Sequence, residues 1–560
     1  MKKDVSEILR NLLTEALLEI AEERGKTLEE EPIVEIERPR REDHGDWATN
    51  VALQWAKFLG EKPRILAEDI VRRLEHSEYL KEIKVAGPGF INFVLSDKWI
   101  SDLLSNVIEK QEDFGRVDVG KGRKVQVEFV SANPTGPLHV GHGRGAAVGD
   151  ICANILSYAG WEVEREYYIN DAGLQMELLG KSVQARYFEI CGKPELVTFP
   201  EDGYKGAYIY EIADKIREAE GERFLDADPE KSLPFFKDYA MSDILEGIKE
   251  DLSRFGVVFD VWFSEKSLYE GEAVERTIAT LKENGYAYDA DGAIWFRSTA
   301  FSDDKDRVLV RSNGVPTYFM SDVVYHKNKY DRGFDLVIDV WGADHHGYIP
   351  RMKAAVQALG RKPEDLEVLL IQFVNLLRGG EQVAMSTRSG EFVTLREVIE
   401  EVGVDATRYF FAMRRSDSHL DFDLDLAKST STENPVYYVQ YAHARINSIF
   451  REAESRGAPL SRDPSEVDVT LLKEPEETAL IRQIASFPDE VKKAAEEFAP
   501  HRITFFAYEL AGAFHSFYNA HRVLGVNEDL EAARLCLTKA TKVVLAKALD
   551  LLGITAPERM

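Results

Sequence analysis

KVQVEFVSANPTGPLHVGH, residues 124–142, decides the fold. Its first residues, KVQVEFV at 124–130, alternate β-branched with other side chains and predict a strand, whereas SANPTGP predicts a loop. A helix is predicted from about Gly141 to Ala159, and a second strand from Glu162 to Ile169. A strand, a helix and a strand within about 50 residues form a βαβ unit, so we predict a parallel sheet.

The length of the chain and the patterns around this unit predict a multidomain α/β protein. A single core stops growing near about 250–300 residues, so a chain of 560 residues requires several domains. We predict a small α+β domain, a Rossmann-like parallel-sheet catalytic core with a charged helical insertion, and an all-helical C-terminal domain. The predicted ranges are 1–112, 113–430 with the insertion at roughly 185–300, and 431–560.

The composition is that of a globular protein from a reducing compartment. Hydrophobic residues make up 44% of the chain and charged residues 30%. No apolar run approaches the roughly 20 residues that span a bilayer. Cys152, Cys191 and Cys536 lie far apart and lack metal-ligand spacing, which argues against a disulfide framework or a zinc site. We therefore expect a cytoplasmic protein that does not associate with a membrane.

The net charge of −28 counts against a nucleic-acid partner, because basic side chains normally supply much of the affinity for phosphates. Two local basic runs remain, RPRR at 38–41 and KGRK at 121–124. A large acidic protein can hold RNA on such patches while repelling it elsewhere. The charge therefore weighs against an RNA partner without excluding one.

His139 and His142 lie where the loop meets the start of the helix, a place suited to phosphate. Free backbone N–H groups and the positive end of the helix dipole attract anions there. Imidazoles three residues apart share a face, and Gly141 would let an adenine ring approach the backbone. The plainer interpretation is two capping or surface histidines, and a metal pair would need a third ligand that is not nearby in sequence. The strand, loop and helix context favours the phosphate site.

FVSANPTGPLHVGHGR, residues 129–144, resembles the signature of class I aminoacyl-tRNA synthetases, specifically of the arginyl enzymes. The resemblance extends over nearly the whole chain. It includes YINDAG (168–173), VWGADHHG (340–347), LDFDL (420–424), NPVYYVQYAHAR (434–445) and APERM (556–560). It implies ATP-dependent ligation of L-arginine to tRNA(Arg) through arginyl-adenylate, with transfer to the 2′-hydroxyl of the terminal adenosine. It also implies Mg²⁺ bound through the ATP phosphates, no metal held by the protein itself, and a monomer.

An arginine substrate needs a carboxylate for its guanidinium and another acceptor for its α-ammonium. Glu128 ends the strand that leads to the histidine loop, and Asp322 shares a face with Tyr318 if that segment is helical. Taken alone, either acid is more simply a solvated carboxylate. The resemblance implies that Glu128 and Asn133 hold the backbone end of arginine, and that Tyr318 and Asp322 receive the guanidinium. The full set implied for arginine is Glu128, Ser131, Asn133, His142, Tyr318, Asp322 and His346, the last at a position where the family often has glutamine.

The resemblance places ATP against Asp344, which would meet the ribose, although a plain turn at a strand end is the alternative. The second class I signature, normally rich in lysine, falls on VAMSTRSG at 383–390, where alanine and threonine replace the lysines. We expect Arg388 with Mg²⁺, helped by Lys121 or Lys124, to supply positive charge opposite the pyrophosphate. The catalytic residues are then His139, His142 and Arg388, and the ATP-binding residues His139, Gly141, His142, Gly342, Asp344, Met385 and Ser386.

The two ends of the chain resemble the tRNA-binding parts of arginyl enzymes. Tyr437, Tyr441 and Met560 match positions near the anticodon, where stacking contributes roughly 1–3 kcal/mol per base. Phe90 and Asn92, two residues apart on one predicted strand, match positions near the tRNA elbow. Ordinary packing is the plainer interpretation of these aromatic side chains.

Three other functions remain open at this point. A different class I synthetase would lack the combination of Glu128, Tyr318 and Asp322. A small H-x-G-H nucleotidyltransferase would have no use for the long helical tail. A non-catalytic tRNA-binding protein is favoured only by the altered second signature.

Overall fold

The computed structural model describes residues 5–27, 32–37, 39, 45–74, 77–383, 392–458 and 464–560. Its first part is an antiparallel sheet of strand order β1-β3-β2, covered by helices. The first helix buries Leu9, Leu13 and Leu17 at helical spacing, as its amphipathic pattern predicts. The elements are α1 (Val5–Glu23), β1 (Trp47–Thr49), α2 (Val51–Leu59), α3 (Pro63–Leu74), β2 (Leu80–Ala86), β3 (Phe90–Leu95) and α4 (Asp97–Lys110).

The middle of the chain alternates strands and helices. Its strands are β4 (Lys124–Glu128), β5 (Glu162–Ile169), β6 (Val261–Ser264), β7 (Ala287–Ala290), β8 (Ala293–Phe296), β9 (Arg307–Val310), β10 (Leu336–Gly342), β11 (Leu366–Ile371), β12 (Val374–Arg378), β13 (Glu381–Gln382) and β14 (Leu420–Asp423). Its helices are α5 (Val140–Tyr158), α6 (Leu174–Ile190), α7 (Ala207–Glu220), α8 (Pro229–Arg254), α9 (Ala273–Glu283), α10 (Tyr318–Asp331), α11 (Ile349–Ala358), α12 (Leu395–Val402), α13 (Val404–Ala412) and α14 (Leu424–Lys428).

The centre of this part is a five-stranded parallel sheet in the order β11-β10-β4-β5-β6, which confirms the predicted parallel α/β core. Helix α5 connects β4 to β5 and packs closely, since a Cβ on Gly149 would lie 2.3 Å from the ring of Phe129. Carboxyl ends of parallel strands meet at one edge, where such folds bind ligands. That edge carries the end of β4 and the start of α5.

The structure differs from the sequence-based expectation in two places. Strand β6, only four residues long, lies within the range predicted as a helical insertion, yet it forms an edge of the parallel sheet. Strand β4 ends at Glu128 and not at Val130, because Val130 and Ser131 adopt φ angles of 67° and 41°, which no strand accommodates. The apolar side chains Phe129 and Val130 continue the sequence pattern of the strand, although the backbone already leaves the strand after Glu128.

The last part of the chain is helical, with α15 (Pro435–Arg456), α16 (Pro475–Ala485), α17 (Phe487–Glu496), α18 (His501–Ala520) and α19 (Glu528–Leu551). Arg408 of α13 joins it to the core and is fully buried. Its guanidinium donates to Asp150 Oδ2 at 2.6 Å, to the carbonyl of Phe255 at 3.1 Å and to that of Leu552 at 2.9 Å. Among the described residues, no helix combines the length and the apolarity needed to cross a membrane.

Candidate active site

The two histidines form the cap of helix α5. His139 is the N-cap, and its Nδ1 accepts from the backbone N–H groups of Gly141 at 3.1 Å and His142 at 3.4 Å. His142 Nδ1 accepts from the backbone N–H of His139 at 3.3 Å, so the two side chains make a reciprocal capping box. The rings stack with their centroids 3.6 Å apart. The expectation that these backbone N–H groups are free for phosphate is therefore wrong for Gly141 and His142.

This cap fixes the tautomer of both rings. Because each Nδ1 accepts a hydrogen bond, the proton of each neutral imidazole is assigned to Nε2. Burial lowers the pKa of His139, and it lowers the pKa of His142 to about 3. The pair therefore offers two neutral Nε2–H donors at the positive end of a helix, which suits an anionic group.

The structure explains why residue 141 is a glycine, which the sequence pattern alone did not. A Cβ at this position would lie 3.0 Å from Cε1 and 3.1 Å from Nδ1 of His139. These separations are tighter than ordinary van der Waals contact, so a side chain here would press on the capping ring. The glycine keeps the stacked pair in place.

The segment that follows residues 384–391 lies against this loop. His139 and Thr394 form an antiparallel bridge, and the backbone N–H of Leu395 donates to the carbonyl of Leu138 at 2.8 Å. The ring of Phe392 meets His139 edge-on at 6.2 Å. Met385, Ser386 and Arg388 themselves lie outside the described residues, as do Arg38, Arg40 and Arg41 of the first basic run.

Glu128 lies at the carboxyl end of β4 and is buried. Its Oε1 accepts from the hydroxyl of Ser131 at 2.9 Å, and that hydroxyl accepts from the backbone N–H of Tyr168 at 3.1 Å. The left-handed backbone at Val130 and Ser131 brings this hydroxyl back towards the strand end. A β-branched residue in this conformation is strained, and such strain is typical of functional sites. Asn133, further along the loop, donates to Gln175 Oε1 at 2.8 Å.

Asp322 lies one turn into α10 and is half-buried. The hydroxyl of Tyr348 donates to its Oδ2 at 2.6 Å. Burial raises the pKa of Asp322 to about 6, and the hydrogen bond from Tyr348 opposes this rise. Tyr318, the first residue of the same helix, is 74% exposed. The segment is helical as predicted, and the tyrosine that contacts Asp322 is Tyr348.

Glu128 also belongs to a buried network of charged side chains that the sequence pattern did not predict. Lys329 Nζ donates to Glu128 Oε2 at 2.6 Å and to Asp339 Oδ1 at 2.8 Å. His326 Nε2 lies 2.9 Å from Asp339 Oδ2. A signal was present, because Asp322, His326 and Lys329 recur at i, i+4 and i+7, where a buried helix face is normally apolar. Asp339 likewise interrupts the apolar strand LVIDVW at 336–341.

The end of β10 carries the residues predicted for the ribose. Asp344 and His346 are exposed in a 3₁₀ helix, Ala343–Tyr348. A Cβ on Gly342 would lie 2.5 Å from Asp344 Oδ1, so this glycine permits the turn. Strands β10 and β4 are neighbours, with Asp339 paired to Glu128. The sheet therefore brings this turn, Glu128 and the histidine cap to one edge.

Lys121 and Lys124 do not belong to that edge. Lys124 begins β4, and four residues of strand, about 13 Å, separate it from Glu128. The expectation that these lysines serve the phosphate site is therefore wrong, because they lie at the amino end of the strand. Among the described residues, no group of three or more His, Cys, Asp or Glu side chains could hold a metal ion.

The residues predicted to contact RNA lie in the first and last parts of the chain, outside the parallel sheet. The rings of Tyr437 and Tyr441 on α15 stack with centroids 5.8 Å apart, and the guanidinium of Arg445 lies 4.6 Å from the second ring. Met560 is 53% exposed. Phe90 is 37% exposed, whereas Asn92 of the same strand is only 7% exposed.

Comparison with known families accounts for most of the chain. The model "Arginyl tRNA synthetase N terminal domain" matches residues 7–95. The model "tRNA synthetases class I (R), catalytic domain" matches residues 103–448, and "DALR anticodon binding domain" matches residues 439–560.

Individual relatives give the same picture. The chain is 57% identical to an arginine–tRNA ligase of Syntrophotalea carbinolica over 94% of this chain and 95% of that protein. It is 52% identical to one of Desulforudis audaxviator over 100% of this chain and 99% of the relative. The structure is similar to Thermus thermophilus arginyl-tRNA synthetase, with a TM-score of 0.74 at 26% identity, covering 99% of this chain and 100% of that one.

Proposed function

Because this chain belongs to the arginyl-tRNA synthetases of class I, we propose that the edge formed by β4, β10 and α5 is where it activates arginine. The enzyme ligates L-arginine to its tRNA in an ATP-dependent reaction that passes through arginyl-adenylate. The observation that carries the assignment of the site is the pair of carboxylates Glu128 and Asp322. Both are held by protein donors and keep lone pairs for a cationic substrate.

The two carboxylates take the two positive groups of arginine. Asp322 receives the planar guanidinium, whose paired N–H groups match a carboxylate. Glu128, with Ser131 beside it, accepts the α-ammonium. Asn133 and His142 contact the backbone end of the bound arginine. Tyr318 and His346, both exposed, contact the end that carries its guanidinium.

In the first step the carboxylate of arginine attacks the α-phosphorus of ATP, and the bond to pyrophosphate breaks. No covalent enzyme intermediate is needed, so positioning and charge stabilisation carry the reaction. His139 and His142 donate from Nε2 to the oxygens on which negative charge develops. Gly342 and Asp344 hold the ribose. Met385, Ser386 and Arg388 contact the pyrophosphate as it leaves, and Mg²⁺ bound to the ATP phosphates would offset their negative charge.

In the second step the 2′-hydroxyl of the terminal adenosine of tRNA(Arg) attacks the adenylate, releasing AMP. The stacked Tyr437 and Tyr441, with Met560, face the anticodon, because flat aromatic surfaces accept bases of any sequence. Phe90 and Asn92 serve the elbow of the tRNA. Local aromatic and basic surfaces of this kind let a protein of net charge −28 hold RNA.

We also propose that the enzyme is a cytoplasmic monomer. Burial raises the pKa of Cys152 to about 12 and that of Cys536 to about 11, so these thiols stay protonated and inert. Light scattering at micromolar concentration checks the expected single-chain mass.

The test of the function is aminoacylation with a panel of amino acids, with ATP and tRNA(Arg). Arginine is expected to be the amino acid charged, with release of one AMP per arginyl-tRNA. Charging of another amino acid would make the chain a different class I synthetase. Absence of AMP release with any amino acid would make it a non-catalytic tRNA-binding protein.

The pKa of Asp322 predicts how arginine binding depends on pH. Below pH 6 this carboxyl is neutral, while the guanidinium keeps its charge, so binding weakens as the pH falls through about 6. The dissociation constant for arginine is expected to rise about tenfold between pH 7.5 and pH 5. Calorimetric titration at several pH values measures it, and a flat profile would contradict the assignment of Asp322.

A second prediction concerns Gly141→Ala. The added Cβ would press on the His139 ring from 3.0 Å and tilt its Nε2–H, so kcat is expected to fall about tenfold, or ~1.4 kcal/mol. The KM for arginine should change little. Gly145→Ala, on the same helix with nothing within 4 Å of its Cβ, is the matched control and should keep the wild-type kcat. Equal rates for the two variants would contradict the role of the cap.

A further inference from the structure

Lys329 is a fully buried ammonium at the back of the proposed arginine site. Burial alone would lower its pKa, but the carboxylates of Asp339 and Glu128 outweigh this effect and raise it. It is therefore charged. A buried charge is costly unless it is paired and hydrogen-bonded. Lys329 meets that condition twice, at 2.6 Å from Glu128 and 2.8 Å from Asp339.

The contacts of Lys329 leave Glu128 able to bind a cation. The single ammonium is shared between two carboxylates, at 2.6 Å from Glu128 and 2.8 Å from Asp339, so Glu128 does not have it alone. Oε2 of Glu128 accepts from Lys329 and Oε1 from Ser131, and each oxygen has a second lone pair. Glu128 is thus held at both oxygens and still has acceptor capacity for an ammonium.

The same helix carries both ends of the site. Asp322 is in the first turns of α10, and Lys329 follows seven residues later, a rise of about 10 Å. His326 lies between them, with Nδ1 at 2.8 Å from the carbonyl of Asp322 and Nε2 at 2.9 Å from Asp339. Glu128 lies on strand β4 and not on this helix. Its hydrogen bond with Lys329 connects it to α10, the helix that carries Asp322.

We propose that Lys329 is a positioning residue that fixes the distance between the acceptors at Glu128 and Asp322, and so selects the length of the substrate side chain. The proposal rests on the assignment of these two carboxylates to arginine. Lys329 acts only through Glu128 and does not touch the substrate. Without it, Glu128 loses its attachment to α10, and a substrate one methylene longer is excluded less strictly.

The experiment compares Lys329→Met with wild type in full-length enzyme, using aminoacylation with arginine and with homoarginine. The KM for arginine is expected to rise about 10- to 30-fold while the KM for ATP stays within about threefold. The preference for arginine over homoarginine should fall by a similar factor. Lys327→Met, on the same helix with an exposed partner in Asp331, is the control and should change neither quantity.

A double-mutant cycle with Glu128→Gln separates positioning from general damage. If Lys329 acts through Glu128, Lys329→Met adds little to the KM for arginine once Glu128 is already glutamine. Additive effects in the cycle, or an unchanged KM and preference in Lys329→Met, would overturn the proposal. If the wild-type enzyme did not charge tRNA with arginine at all, the proposed function itself would be refuted.

Asp339→Asn provides a second route if Lys329→Met does not fold. The amide keeps the shape of the side chain but removes one of the two charges that hold the ammonium, so Lys329 and with it Glu128 are held less firmly. The KM for arginine is expected to rise about five- to tenfold, with the thermal melting profile close to that of wild type. An unchanged KM in a folded Asp339→Asn protein would overturn the proposal.

Discussion

Asp322→Asn is expected to lower kcat/KM for arginine about 1000-fold, which corresponds to ~4 kcal/mol of lost transition-state binding. The amide keeps one acceptor oxygen but loses the negative charge, and its NH₂ faces a guanidinium that has only donors. The bond from Tyr348, 2.6 Å in the wild-type protein, can persist to the amide oxygen, so the fold should survive. Steady-state aminoacylation measures the change in kcat/KM. The KM for ATP is expected to stay within about twofold of the wild-type value.

Asp331→Asn is the matched control. Asp331 ends the same helix, is exposed, and pairs with Lys327. It should keep the wild-type kcat/KM, since an exposed ion pair contributes little. If both variants retained full activity, Asp322 would not be the guanidinium acceptor.

Arg408→Met is expected to lower the free energy of unfolding by about 3–5 kcal/mol. The change removes one of the two guanidinium partners that the structure describes for the buried carboxylate of Asp150 and keeps the other, Arg165 at 3.2 Å. It also leaves the carbonyls of Phe255 and Leu552 without this donor. A loss of this size is a large part of the roughly 5–15 kcal/mol that stabilises a domain.

Urea unfolding followed by tryptophan fluorescence measures the effect. The 7 tryptophans all precede Arg408 in the chain, so they report on the first two parts of the molecule. The unfolding midpoint should fall clearly below that of wild type. Arg415→Met removes an exposed guanidinium paired with Asp417 and should leave the midpoint unchanged. Equal midpoints for the two variants would contradict the role of Arg408.

Much of the fold was predictable because its signals are local. The strand, loop and helix of 124–158, the amphipathic α1 and the helical ending of the chain follow from residue periodicity and turn residues. Strand β6 was not predictable in this way. Its four residues have no period of their own to distinguish them, and their pairing with β5 is decided by the tertiary fold.

The place of a candidate side chain in the fold was predictable where it belongs to a motif, as for His139 and His142 at the start of α5. Their arrangement was not predictable, since either a cap or a pair of free imidazoles satisfies the same spacing. Lys329 was missed because its role depends on Glu128, 201 residues away in the chain. Tyr348 was missed for a similar reason, since the carboxylate it contacts is 26 residues earlier.

Arg408 also imposes an order in time on the newly made protein. Its acceptor at Leu552 is 144 residues further along the chain. At about 5–20 residues per second, a ribosome needs roughly 7–30 s to make that stretch. During that interval α13 carries an arginine whose final bond does not yet exist. The catalytic core of a nascent chain therefore reaches its full stability only after Leu552 has been added and has reached its place.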